Sequence, residues 1–332
     1  MKRPIVCCPG SINPDLKLKT EVNKGIKTFS GRYLEDLGGK GCDTCCAIKN
    51  VAGDERKVYL VGCVGKDRWA GYVMRKLKKK KIETDFVFRK NGMTGLVLEY
   101  IFGNGEVDVG FAPGVNQLLD AKDIAQAEGV IRSAALVIGE IENTIDATAT
   151  SFQIAKRHRV PTLLDPSIVP RDPAERKILF EEVLPLTDIL MPDRYELAEL
   201  TGIHPTNREN LVRAAKKLLK YSKILCITLG SKGVYVSDKR QYAILPTFKV
   251  DAVDAGGVGD TFRGLFGYRL VKYCEQSNIH IEELPFDALM QAAQYASAGA
   301  AIAISRYGTL EAIPTKAEIE GFLKKHGLTT IL

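Results

Sequence analysis

Short runs of aliphatic and β-branched residues alternate with segments of helical period along most of the chain. Runs at 57–64, 134–139, 162–165, 188–191 and 224–229 have the length and composition of buried strands. Segments 41–51, 67–81, 144–158, 194–201 and 207–219 carry the apolar spacing of one helix face. The C-terminal third reads as helical at 260–274, 286–306 and 315–325. Strands alternating with helices predict an α/β fold of three αβα layers, with a mostly parallel central sheet covered on both faces.

Two stretches break this rhythm. Residues 94–102 and 107–112 read as strands joined by a tight turn at Gly103-Asn104-Gly105-Glu106, with a further strand near Phe86. Residues 14–34 alternate partly and show no helical period. Together they predict a small antiparallel sheet, a lid formed by about 13–36 and 86–115. No repeat or linker divides the chain, so a single domain over 1–332 is expected.

Composition narrows the class. With 332 residues, 45% hydrophobic and 26% charged, the chain has ample material for a core. No apolar run reaches the roughly 18 residues of a membrane span. The opening Met1-Lys2-Arg3-Pro4-Ile5-Val6-Cys7-Cys8 makes a poor signal peptide, so a cytoplasmic location is expected. The eight cysteines read as buried reduced thiols, and Cys42-x-x-Cys45 lacks the second pair a zinc site would need. The formal charge of +7 owes part of its excess to the basic run 75–81, the solvated end of a helix. No aromatic residues interleave with that run, so neither nucleic acid nor membrane is an expected partner.

Three glycine-rich windows carry the candidate chemistry. Val253-Asp254-Ala255-Gly256-Gly257-Val258-Gly259-Asp260 leads directly into a helix. Its backbone N–H groups and the helix N-terminus suit a phosphoryl anion, and Asp260 could take a proton from a hydroxyl. A plain glycine turn with a helix-capping acid fits the same window. Leu37-Gly38-Gly39-Lys40-Gly41-Cys42-Asp43 also enters a helix, and alone reads as a helix-entry turn. Gly10-Ser11-Ile12-Asn13-Pro14-Asp15 follows the first apolar run, and in extended chain Asn13 and Asp15 share a side. An amide beside a carboxylate suits sugar hydroxyls, although an Asx-turn is equally compatible. Neither a P-loop nor an N-terminal G-x-G-x-x-G is present.

In this order the pieces resemble the ribokinase-like (phosphofructokinase-B type) carbohydrate kinases, from Ile5 to about Ile313. Gly38-Gly39-Lys40-Gly41 is similar to the family's N-terminal glycine motif, and Val61-Gly62-Cys63-Val64-Gly65-Lys66-Asp67 to the V-G-x-D stretch. Met191-Pro192-Asp193-Arg194-Tyr195-Glu196 stands for P-N-x-x-E, and Thr228-Leu229-Gly230-Ser231-Lys232-Gly233 for T-x-G-x-x-G. Asp254 to Asp260 resembles the signature D-T-x-[AG]-[AG]-G-D.

The resemblance implies transfer of the γ-phosphoryl group of ATP to a primary hydroxyl of a pentose or similar sugar. Asp260 would be the base, with Gly257, Val258 and Gly259 offering amides to the transferred group. Asn13, Asp15, Gly39, Lys40, Asp43 and Glu142 would hold the sugar. Asp193, Thr228, Gly230, Gly233 and Ser297 would line the nucleotide, and Glu196 would hold Mg²⁺ through water. A monovalent cation, K⁺, would sit at Asp254, Gly256, Ala303, Arg306, Gly308 and Ala312, held mostly through backbone oxygens. A homodimer through the lid is a further implication.

The chain departs from the pattern at four places. Asp43 and Asp193 replace asparagines, Ala255 a threonine, and Val258 a smaller residue. An ionised Asp43 would only accept hydrogen bonds, and Lys40, three residues away, is expected to neutralise it. Two alternatives stay open. A nucleoside kinase would use aromatic lid residues such as Phe102 and Phe111. A catalytically silent sensor is suggested by Val258 and Asp193.

Overall fold

The computed structural model describes residues 2–103 and 107–328. Among the described residues, thirteen strands build two sheets. Nine belong to the main sheet: β1 (Ile5–Cys7), β4 (Val58–Val64), β5 (Glu83–Arg89), β8 (Leu136–Glu140), β9 (Thr162–Asp165), β10 (Ile189–Leu190), β11 (Ile224–Thr228), β12 (Val234–Ser237) and β13 (Tyr242–Leu245). Their spatial order is β13-β12-β11-β10-β9-β8-β1-β4-β5. All neighbours pair in parallel except at one edge, where β12 pairs antiparallel with both β11 and β13.

Side chains alternate across this sheet, so the two faces grow separate cores. Ile5 and Cys7 point into a core with the helices Lys40–Ala52, Arg68–Lys79, Val258–Ser277, Phe286–Ile304 and Lys316–Lys325. Val6 points into the opposite core, with Ile145–Arg157, Arg194–Thr201 and Arg208–Leu218. Strands buried on both sides have no polar face, which explains their continuous apolar runs.

The smaller sheet contains β2 (Asn13–Lys19), β3 (Arg32–Gly38), β6 (Leu96–Ile101) and β7 (Val107–Ala112), in the order β3-β2-β6-β7. It is mixed rather than antiparallel. β2 and β6 run parallel, because the β4–helix–β5 excursion lies between them and returns the chain to the same end of the main sheet. Residues 86–89, expected in the lid, instead belong to β5 at the main-sheet edge, paired with β4. Most of the expected turn at Gly103-Asn104-Gly105-Glu106 lies outside the described residues. The expectation contained neither β12 nor β13.

Backbone contact around β1 fixes the first glycine motif. A methyl group at Gly41 would lie 2.4 Å from Gly10 Cα, and one at Gly62 2.4 Å from Gly10 O. The helix Lys40–Ala52 and β4 can therefore close on the chain leaving β1 only without side chains at these points. Among the described residues no helix is long and apolar enough to cross a membrane. Seven of the eight cysteines, all free, are buried, Cys42 and Cys45 among them, and burial pushes both of these thiols up.

Candidate active site

The strand order reverses at β1, which has β4 on one side and β8 on the other. Loops leaving β1 and its neighbours diverge there and open a crevice at the carboxyl ends of the strands. Ser11 follows β1, Glu140 ends β8, Asp165 ends β9, and Asp193 follows β10. Lys40 and Asp260 stand in the first turns of the helices Lys40–Ala52 and Val258–Ser277.

Asp260 is buried among cations. Arg263, one turn later, donates Nη2 to Asp260 Oδ1 at 2.8 Å and Nη1 to Thr44 Oγ1 at 3.0 Å, and it also contacts Asp165 Oδ2. Lys40 Nζ lies 3.5 Å from Asp165 Oδ2 and 3.9 Å from Asp260 Oδ1. Burial pushes the Asp260 carboxyl up to about 6; the Lys40 ammonium pulls it down and Glu142 pushes it up further. Burial also lowers Arg263 to about 10 against the pull of its carboxylate neighbours.

The loop before Asp260 has the geometry of an anion cradle. Gly257 caps the helix at φ +69°, and a methyl group there would stand 2.8 Å from Thr309 Cγ2 and 3.1 Å from Asp43 Oδ2. That left-handed residue lets the helix begin at Val258, two residues earlier than its apolar pattern suggests. The leading amides of a helix lack intrahelical acceptors and point towards the crevice end of the axis. Val258 is the first helical residue, an ordinary position for an L-residue, so this departure leaves the turn intact.

β2 turns three polar side chains, Asn13, Asp15 and Lys17, to one buried face. Asn13 Oδ1 accepts from Asn116 Nδ2 at 2.8 Å, and Asp15 Oδ2 accepts from Thr309 Oγ1 at 3.0 Å. Gly38 and Gly39 bring the next motif against this strand: a methyl group at Gly39 would lie 2.8 Å from Asn13 N. From β8, Glu142 Oε2 accepts from Ser11 Oγ at 2.8 Å, while Glu140 holds Ser11 N at 2.5 Å and Asn143 Nδ2 at 2.7 Å. Burial pushes Asp15 up to about 8 and, with the charge of Glu142, Glu140 up to about 7.

Asp43 sits between the two groups. Its Oδ1 is buried without a hydrogen-bond partner. Burial first, then the carboxylates of Asp260, Asp15 and Asp36, push its carboxyl far above the usual range, and Lys17 is the cation that opposes them. Lys40 does not neutralise Asp43 as expected, because its ammonium reaches Asp165 and Asp260 instead. Asp43 therefore holds its proton more tightly than an ordinary aspartate, and with that proton it would offer one O–H donor and one acceptor, as an asparagine does.

On the other side of the crevice, Asp193 bridges to Thr228 across β10 and β11, and Thr228 N donates to Pro192 O at 3.2 Å. Asp193 Oδ1 caps the helix Arg194–Thr201 through Tyr195 N (2.7 Å) and Glu196 N (2.8 Å), and Glu196 Oε2 returns a bond to Asp193 N at 2.7 Å. Aspartate and asparagine cap helices equally well, which accounts for this departure. Burial pushes Glu196 up to about 7, with Lys40 pulling it down. Gly230 and Gly233 both take positive φ, and a methyl group at Gly233 would run into Leu245 O. Ser297 is buried on the helix Phe286–Ile304, which packs on β12. Among the described residues no three His, Cys, Asp or Glu side chains cluster as a protein-only metal site.

The one carboxylate expected beside a monovalent cation is already engaged by a cation of the chain itself. Asp254 Oδ2 is held by Lys17 Nζ at 2.8 Å and by Gly308 N at 3.2 Å, and Oδ1 by Gly256 N at 2.9 Å. Among the backbone oxygens expected there, Ala303 O accepts from Arg306 N at 3.0 Å. A second positive charge about 4 Å from the Lys17 ammonium would be opposed by roughly 4 kcal/mol at an effective dielectric constant of 20.

Known proteins share this fold and family. Residues 4–316 match the pfkB family carbohydrate kinases. The chain is a member of that family. It is 30% identical over 319 residues to the ribokinase of Haemophilus influenzae, covering 95% of this chain and 97% of that protein. The solved ribokinase from Giardia lamblia superposes with a TM-score of 0.87 at 25% identity, over 98% of this chain and 100% of that one. The ribokinase from Arabidopsis thaliana, solved with ribose and ATP, shares the fold with a TM-score of 0.78 at 23% identity, over 98% and 99%. As a carbohydrate kinase of this family, the chain is a phosphotransferase with a hydroxyl acceptor.

Sequence reasoning missed Lys17, Asp36, Asn116, Glu140, Asp165, Arg263 and Thr309. Two of them carried a signal. Arg263 is three residues after Asp260 on a helix, and Lys17 continues the two-residue period of Asn13 and Asp15.

The buried acids make folding take up protons. Asp15, Asp43, Glu140, Glu196 and Asp260 hold protons more tightly folded than unfolded. Their contribution to stability is complete below the unfolded values near 4 and is lost as pH rises through about 6 to 8. Acids shifted downward, such as Glu318 at about 2, act below that window. The urea-unfolding free energy of the ligand-free protein is expected to fall by roughly 2 kcal/mol or more between pH 5 and 8. A flat or rising profile would contradict the buried-acid account.

Proposed function

We propose that this chain phosphorylates the primary hydroxyl of ribose or a closely similar pentose, with ATP as donor and Mg²⁺ as its companion ion. The observation that carries the reading is the convergence of side chains at the carboxyl ends of the strands. It places a buried Asp260 at the end of an amide-lined turn, with Asn13, Asp15, Asp43 and Glu142 on one side and the Asp193–Thr228 junction on the other.

Asp260 is the base. Both Lys40 and Arg263 address Oδ1, which leaves Oδ2 for the acceptor hydroxyl. With its carboxyl at about 6, Asp260 is ionised at neutral pH yet basic enough to take a proton late in the transfer. The amides of Gly257, Val258 and Gly259, with Lys40 nearby, face the charge that spreads over the moving phosphoryl oxygens. Glu142 accepts from sugar hydroxyls, while Asp15, pushed up to about 8, and Asp43 each carry a proton to donate as well as an oxygen to accept. Thr228, Gly230, Gly233 and Ser297 lie along the nucleotide, with Asp193 capping the helix that carries Glu196.

Glu196 suits a hydrated divalent ion, because its Oε2 is fixed by Asp193 N and one carboxylate oxygen remains for a metal-bound water. When bound with ATP, Mg²⁺ supplies positive charge to the phosphate oxygens.

The nucleoside-kinase alternative loses one of its stacking candidates. Phe102 is buried, with its ring edge-on to Phe29 at 5.4 Å. An ADP-release panel of pentoses, hexoses and nucleosides tests the reading. Ribose is expected to give the highest kcat/KM, and a nucleoside ahead of every free sugar would overturn it.

We also propose a homodimer through the small sheet. The pairing register puts Leu16, Leu18, Tyr33, Leu98 and Tyr100 on one face, and Tyr33, Leu98 and Tyr100 are exposed. An apolar face of this kind suits a second copy. Sedimentation at micromolar concentration is expected to find twice the monomer mass; a monomer would end this part of the reading.

Two substitutions separate the roles of the aspartates. Asp260→Asn is expected to lower kcat by at least about a hundredfold with little change in nucleotide affinity. Asp43→Asn keeps a donor and an acceptor in place, so kcat/KM for ribose should change by less than roughly tenfold. The same variant should also lose the decline in rate that deprotonation of Asp43 brings at alkaline pH. A large gain for ribose in Asp43→Asn would mean that the native pocket serves another substrate.

A further inference from the structure

We propose that the ammonium of Lys17 is the built-in cation of the phosphoryl-transfer loop, so that this kinase works without a bound monovalent ion. The inference rests on the kinase reading above and concerns the regulation of the same site.

Lys17 is one of the most completely buried charges of the chain, with a side-chain exposure of 0%. Its Nζ lies 2.8 Å from Asp254 Oδ2 and 3.3 Å from Glu99 Oε2. Burial works against the charge, yet the bond to Asp254 and the charges of Glu99 and Asp254 hold Lys17 above the ordinary lysine value. A methyl group at Gly256 would stand 2.7 Å from Nζ, so the ammonium rests against the backbone of the loop itself.

The carboxylate it holds is the one that shapes that loop. Asp254 Oδ1 accepts from Gly256 N at 2.9 Å and Oδ2 from Gly308 N at 3.2 Å, tying the turn before Gly257 to the segment beyond the helix Phe286–Ile304. An uncompensated Asp254 would repel an incoming phosphoryl group and pull its own ligands apart. A fixed cation removes both effects. Because Lys17 belongs to the same strand face as Asn13 and Asp15, this cation also locks the sugar-holding strand to the phosphoryl loop. Lys17 is thus a positioning residue, acting through Asp254.

The test compares salts at equal ionic strength. The native enzyme is expected to show the same kcat in potassium chloride and tetramethylammonium chloride, the same melting temperature in both, and no stoichiometric rubidium binding by equilibrium dialysis. Lys17→Met keeps the apolar stem and removes the charge. It should lose roughly tenfold or more in kcat in tetramethylammonium, the scale of a displaced catalytic loop, with KM for the sugar changing less. Potassium should restore much of that rate, raise the variant's melting temperature, and be mirrored by binding of one rubidium ion. A purely structural lysine would show no rescue by potassium.

Severalfold activation of the native enzyme by potassium, or one rubidium bound to it, would overturn the proposal. If Lys17→Met does not fold, the native salt comparison decides alone. If no sugar is phosphorylated, the kinase reading fails, while rubidium binding and melting temperature still decide the role of Lys17.

Discussion

The constraint that organises this protein is charge balance inside one crevice. Asp15, Asp36, Asp43, Asp254 and Asp260 are buried close together, with Glu99, Glu142 and Glu196 at their margins. Isolated buried carboxylates are too costly to remain ionised, so each must find a cation, a set of N–H donors or a proton. Lys17 goes to Asp254, and Arg263 with Lys40 to Asp260 and Asp165. Asp36 takes backbone donors, Leu37 N, Thr309 N and Leu310 N, at 2.8, 2.8 and 3.1 Å. Asp43 has none of these and keeps its proton.

This distribution depends on backbone geometry. The cations can reach their partners only because the first glycine motif closes tightly on β1. With Gly41 and Gly62 both packed against Gly10, Lys40 is delivered to the mouth of β9 and Thr44 to the guanidinium of Arg263. Gly257 plays the corresponding part for the second helix, turning its leading amides and Asp260 into the same space. The glycines set where backbone can approach backbone, and the side-chain charges follow.

Local signals made the layers and most of the site legible. The parallel core strands are apolar throughout and the helices carry a clear 3.6-residue period, so their order could be read directly. The small sheet was harder, because the parallel pairing of β2 with β6 joins strands far apart in sequence and no local pattern encodes it. Segment 86–89 read as lid because its residues are half-buried or exposed, as at a sheet edge of either kind. Chain neighbours misled at Lys40, three residues from Asp43: on a helix that spacing is one turn, but the long side chain runs instead to the ends of β9 and the facing helix. Lys17 was illegible for the same reason, since its partner Asp254 stands 237 residues away.

Asp43 and Asp260 show how one environment can give two aspartates opposite tasks. Both are buried, and the carboxylate of Asp260 is the largest of the charges that push Asp43 up. Asp260 has two cations within reach and falls back to about 6, where a carboxylate is ionised at neutral pH and still a competent base. Asp43 faces the same field from the side without a direct cation, and so remains an acid able to donate a hydrogen bond. Separating the proton affinities of two neighbouring carboxyls is the physical means by which a site assigns an acceptor and a donor without changing residue type. The substitution of asparagine by aspartate at position 43 is then chemically conservative only because Lys40 points away from it. Were Lys40 to turn to Asp43, that side chain would ionise, Asp260 would lose a counter-charge, and donor and base would exchange character.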